Sequence, residues 1–242
     1  MAATTPQTGF TGFPPEALKF FRALEKNNNR DWFESNKQMY LLKVRQPMEQ
    51  LVAAVGSHMM RFAPAYVKEP NKAIYRIYRD TRFSADKTPY KTHIGALFTR
   101  PDLPKNESAG FYVALSAKAV SFGGGLYMPL PEHLPALRAH IAGEHERFRK
   151  LVTAKRVTGL LGELLGDQLQ RPPKGFAPDH PAMDLLKRKQ WYFYREDDAA
   201  AALKPAFVQD VVKRFKAAFE VVEFLNEPIF NLQRKTSGSI LE

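Results

Sequence analysis

Along the first quarter of the chain, apolar side chains recur at steps of three and four. Leu18, Phe21 and Leu24 mark the inward stripe of a short helix opened by Pro14-Pro15, and Asn27-Asn28-Asn29 predicts its end. Asp31 is the candidate N-cap of a second helix, in which Tyr40, Val44, Met48, Leu51, Val55, Met59 and Phe62 keep the same spacing. Pro47 falls inside that run. It has no amide hydrogen and crowds the carbonyl of Lys43, which predicts a kink.

The period then changes. Ala73 to Arg79 alternates as a strand does, with Tyr75 and Ile77 on one face and Arg76 and Tyr78 on the other. Ile94 to Phe98 is a short apolar run, and Phe111–Ser116 and Val120–Tyr127 flank Ala117-Lys118-Ala119 as the arms of a hairpin. Helical spacing returns from Pro131, through Leu137, Ile141, Phe148, Val152 and Leu161. A proline-rich loop leads to Asp179, the expected cap of a helix carrying Met183, Leu185 and Leu186. A strand over Gln190–Tyr194 follows. The last helix begins after Pro205, carries Val208, Val211, Phe215, Phe219 and Val222, and is expected to end before Pro228.

Hairpin spacing in the centre, with helices before and after, predicts an α+β fold: a mostly antiparallel central sheet flanked by helices. No repeat or Gly/Ser linker divides the chain, so a single domain is expected over 13–230, with disordered tails over 1–12 and 231–242.

Composition narrows the chemistry. There is no cysteine, which removes disulfides, thiolate metal sites and cysteine nucleophiles. The N-terminus lacks a signal-peptide pattern and no segment reaches the apolar length of a bilayer span, so a cytoplasmic protein is expected, with no membrane partner. A formal charge of +11 favours anionic partners without naming one.

Placement of the charges says more. From Tyr75 to His93, Arg76, Arg79, Arg82, Lys87 and Lys91 are interleaved with Tyr75, Tyr78, Phe83 and Tyr90. Guanidinium forks match phosphate and carboxylate oxygens, and tyrosines add hydroxyls and flat faces. The competing reading pairs Asp80 and Asp86 with neighbouring arginines and leaves the other cations in water. Strand alternation also puts Arg76 and Arg79 on opposite faces, so convergence needs the loop after Asp80 to fold back.

The second candidate is Arg171 to Pro181, where Lys174 joins the anion contacts and Asp179-His180 offers a base and its orienting partner. If a reaction occurs, Asp80, His93 and His180 are the acid–base candidates. Gly123-Gly124-Gly125 lacks the lysine of a phosphate loop and is expected as a bulge or turn. The six histidines form no zinc motif, and no dinucleotide fingerprint or nucleophile elbow is present, so no metal and no cofactor is expected.

At these residues the chain resembles domain-of-unknown-function family 2461, found in bacteria and fungi. The resemblance runs from Asn28, Trp32-Phe33, Lys37 and Tyr40 through Tyr78–Phe83 and Asp86–Thr92 to Pro173–Phe176 and Asp179–Pro181. It implies a single unit and no residue roles. Three functions stay open: an anionic small-molecule site using Arg76, Tyr78, Arg79, Arg82, Lys87, Tyr90, Lys91 and Lys174; a nucleic-acid module on the same cations; and a dock for an acidic protein.

Overall fold

In the computed structural model, residues 9–103 and 107–238 are described, with side chains as far as Arg234. The fold is α+β, as expected. Its four strands, β1 (His93–Phe98), β2 (Gly110–Ser116), β3 (Ala119–Leu126) and β4 (Trp191–Asp198), form one antiparallel sheet in the order β1-β2-β3-β4. Ala117-Lys118 closes the β2–β3 hairpin. There the Ser116 hydroxyl accepts from the amides of Lys118 and Ala119 and donates to the Ala119 carbonyl at 3.1 Å, which fixes the turn.

By packing, the chain resolves into two compact units. The first comprises Met1–Leu97, Val113–Ser121 and Glu196–Val212; the second comprises Phe98–Tyr112, Phe122–Arg195 and Lys213–Glu242.

The first unit holds α1 (Pro15–Lys26), α2 (Arg30–Tyr40), α3 (Gln46–Met59) and the short α4 (Pro70–Ala73). Phe20 and Phe21 of α1, Phe33 and Tyr40 of α2, and Met48, Leu51, Val52 and Val55 of α3 are buried together in its core. Asn29, not Asp31, caps α2: its side chain accepts the Trp32 amide at 3.0 Å, and Asp31 lies in the first turn. Just before Pro47 there is a π turn over Leu41–Arg45, closed by the Gln46 amide on the Leu41 carbonyl. Widening the ring just before the proline absorbs its crowding and its missing donor while Tyr40 and Val44 both stay buried. Phe10 is buried against Phe13 and Phe207, so the expected tail over 1–12 is packed at its far end; residues 1–8 lie outside the described part.

The second unit holds α5 (Leu134–Gly143), α6 (His145–Val152), α7 (Lys155–Leu161), α8 (Met183–Leu186) and most of α9 (Phe207–Gly238). Phe215 of α9 packs on Phe98 and Phe111, and Phe224 stacks on Phe148 with ring centroids 4.7 Å apart. The buried Asn226 bonds both the amide and the carbonyl of Ala109, at 2.8 and 2.9 Å.

Helix α9 does not stop before Pro228 but runs through it. Burial of Phe224, Leu225 and Ile229 on one stripe outweighs the ~3 kcal/mol that an interior proline costs. The tail expected over 231–242 is therefore helical as far as Gly238, and the remaining residues lie outside the described part. Gly123-Gly124-Gly125 is strand rather than turn. A Cβ on Gly124 would meet that of Ala218 at 2.7 Å, and Gly125, at φ +117°, lies against the Trp191 carbonyl, so the glycines serve close packing of β3.

No helix among the described residues is long and apolar enough to cross a membrane.

Candidate functional site

The candidate cations of the first unit sit on a two-stranded ribbon and on the loop that joins its arms. Residues 74–79 run antiparallel to 89–96, held by Tyr75 N–H on the Gly95 carbonyl, Lys91 N–H on Ile77 and Arg79 N–H on Pro89, each within 2.9 Å. This is not the regular strand expected over Ala73–Arg79. Helix α4 takes Ala73, and the bridges Ile74↔Ala96 and Tyr78↔Tyr90 set four residue steps on one arm against six on the other, which breaks the ladder. Its two faces still follow the sequence pattern: Ile77 is buried, and Arg76 and Tyr78 are exposed.

One residue far away in sequence fixes the second arm. The Asn28 side chain donates to the Tyr90 carbonyl at 2.9 Å and accepts the Tyr90 amide at 3.0 Å, imitating a strand partner. The Tyr90 ring stacks on Phe33 at 4.1 Å, and the Tyr78 ring lies tilted against it with centroids 5.4 Å apart. Tyr90 is thus a buried support, its phenol pushed up first by burial and then by Tyr78, whereas Tyr78 presents an exposed ring. Lys37, paired with Glu34 at 3.0 Å, stands by these two phenols, and Tyr40 is core.

The loop pairs both of its arginines with its own carboxylates. Arg79, at its neck, donates to Asp86 at 2.5 Å and to the Thr88 hydroxyl and carbonyl. Asp86 also accepts the Thr88 amide at 2.9 Å; that bond, with the Arg79 guanidinium behind it, pulls its carboxyl down to about 2. Arg82 grips Asp80 with two nitrogens, at 3.0 and 2.8 Å, and this pairing, with the Arg82 amide, takes Asp80 to about 2 as well. Lys87 donates to the Thr81 carbonyl at 2.9 Å. Phe83 at the tip is 95% exposed, with the Arg82 guanidinium 5.7 Å from its ring.

The ribbon does not satisfy its charges in this way. Lys91, half-buried, donates to the Arg76 carbonyl at 3.1 Å and lies 5.1 Å from the Tyr75 ring. Burial, and then the Arg76 charge, lower its pKa. Two residues on and on the same face, His93 is half-buried, its imidazole pushed down by burial and by Lys91. Among the described residues, Arg76, Lys91 and His93 form no ion pair with a carboxylate.

Lys174 and His180 belong to the second unit. Lys174 is exposed on its loop. Asp179 does not cap α8, which starts at Met183 after Ala182 with no side-chain cap; instead the His180 Nδ1 accepts the Ala182 amide at 3.1 Å. Asp179 lies three residues before the Ala182 cap position.

Sequence reasoning did not see two parts of this arrangement, the Asn28 clamp and the Tyr75 ring beneath Lys91. The family described as conserved hypothetical protein (DUF2461) matches residues 16–224, a span that includes the whole ribbon and loop. Among curated proteins, none matches the chain.

Proposed function

The chain belongs to the DUF2461 family, and from that premise we propose that it binds a small molecule through a phosphate or carboxylate group, with Arg76, Lys91 and His93 as the anion contacts. One observation carries the reading: these three basic groups form no ion pair with a carboxylate, while Arg79 and Arg82 nearby are each paired with a carboxylate of their own loop. Uncompensated positive charge in a partly buried place is costly, and an anion relieves it. The exposed ring of Tyr78, on the same side of its arm as Arg76, offers a flat contact for the rest of the ligand.

A thermal-shift series at modest salt tests this, using inorganic phosphate, a sugar phosphate, pyruvate, lactate and oligonucleotides of graded length. At least one small anion should raise Tm in the wild type and in Arg82→Ala but not in Arg76→Ala. Stabilisation that instead grows with oligonucleotide length and fades steeply with salt would replace this reading with nucleic-acid binding.

A further inference from the structure

We propose that a cavity in the second unit binds a small amine, whose ammonium pairs with the Glu227 carboxylate while its hydrocarbon part lies along Phe224, Phe230 and Leu103. The inference does not rest on the anion reading above: it concerns the other unit and none of the ribbon residues.

The cavity holds about 340 Å³ and is lined from three segments: the residues that follow β1, helix α6 and the far half of α9. That volume is at the small end for ligand pockets, so it suits a molecule of few heavy atoms. Its charged side chains have both signs, Arg100 and Arg147 against Glu223 and Glu227. The bonds each already makes decide which is open to a ligand.

Both arginines are already paired. Arg100 grips Asp102 with two nitrogens, at 3.0 and 2.6 Å, and its guanidinium lies 5.2 Å from the centre of the Phe230 ring. Arg147 donates to Glu144 at 2.8 Å and lies 5.3 Å from the centre of the Phe224 ring. Asn226 uses both ends of its amide on Ala109. Glu223 has an interaction of its own.

Glu227 differs. Half-exposed, it accepts no hydrogen bond among the described residues. The His140 Nε2 stands 3.6 Å from it, too far for a hydrogen bond, and is buried with no hydrogen-bond partner. Glu227 also feels the Arg147 charge, but that guanidinium is bonded to Glu144. An anion entering the cavity would meet two guanidiniums already bonded and a carboxylate beside them, whereas a cation meets an acceptor with open lone pairs.

The rest of the lining selects among cations. No group of acidic or histidine side chains among the described residues can hold a metal ion, and a metal would leave the rings without a role. An ammonium on a hydrocarbon body uses both parts of the wall, its N–H groups on the carboxylate and its carbons along Phe224, Phe230 and Leu103.

The test is calorimetric titration of the full chain at about pH 8, where an alkylamine is an ammonium ion. Phenethylamine is the probe, phenethyl alcohol has the same body without the charge, and phenylalanine adds a carboxylate. Phenethylamine should bind, the alcohol should bind about fivefold or more weakly, and Glu227→Gln, which keeps the size of the side chain, should weaken the amine by a similar factor. The wild type gives a second reading that needs no variant: amide NMR shifts caused by the amine should centre on residues 223–230 and not on the ribbon at 74–96. Absence of binding, equal binding of amine and alcohol, undiminished binding in Glu227→Gln, or shifts centred elsewhere would overturn the proposal. Tighter binding of phenylalanine than of the amine would overturn it too, by showing that the arginines take the ligand's carboxylate.

Discussion

The loop after Asp80 and the ribbon that carries it contain similar cations in opposite circumstances. In the loop, Asp80 and Asp86 each lie two residues before a group they bond, Arg82 and Thr88, so local turn geometry brings acid to base and the charges close on themselves. On the ribbon, alternation sends Arg76 outward while the second arm brings Lys91 and His93 beside it; Asp80 feels the Arg76 charge, but its carboxylate is bonded to Arg82. Density of arginine and lysine is therefore a poor guide to a binding site. Absence of an internal partner is the better one, because a paired guanidinium must give up its carboxylate before it can take a ligand.

The largest effect is expected from removing the support on which both regions hang. Asn28→Leu deletes both bonds to the Tyr90 backbone and leaves that amide and carbonyl unpaired, at a cost of about 2–4 kcal/mol, read as a lower urea midpoint at unchanged slope. The stabilisation by a small anion should be lost in the same variant. If stability falls while that stabilisation survives, the ribbon is organised without the clamp.

Next comes the direct contrast of one arginine from each region. With the anion found by thermal shift, Arg76→Ala should weaken binding about tenfold or more, as loss of a hydrogen bond to a charged group does. Arg82→Ala should leave Kd within about twofold, because that side chain already holds Asp80 and is otherwise solvated. Equal losses would mean that pairing does not separate the two sets.

How much of this was legible depends on whether a feature is local. The helices, the hairpin and the faces of residues 74–79 were readable, since apolar spacing decides them within one segment. The broken ladder was not: it arises because four residue steps oppose six, a property of two arms together. Asn28 reads locally as a helix stop, and nothing near it announces a bond to a backbone 62 residues away. Pro228 predicts an end that tertiary burial overrides, and Asp179 has the chemistry of a cap without the register. The site's cations were visible one by one. Only their pairing, set by folding, sorts Arg76 and Lys91 from Arg79 and Arg82.

The smallest effect separates the two regions by pH. His93 is held below its ordinary value of 6.5, so in the window just under 6.5 the unfolded chain takes up the proton before the folded one, and stability declines as the solution becomes acidic. The loop carboxylates behave differently. Asp80 and Asp86 are held at about 2, below their ordinary 3.8, so their contribution is intact above 3.8 and drains away only as pH falls toward 2. A denaturation series against pH should therefore show a shallow decline from the ribbon followed by a separate one from the loop. His93→Gln should flatten the first and leave the second. A bound anion should do the same by another route, because negative charge beside the imidazole raises its pKa toward the unfolded value, which an NMR titration of His93 with and without ligand reads directly. An imidazole that titrates at or above 6.5 in the free protein would mean that the ribbon is compensated after all, and the contrast with the loop would be gone.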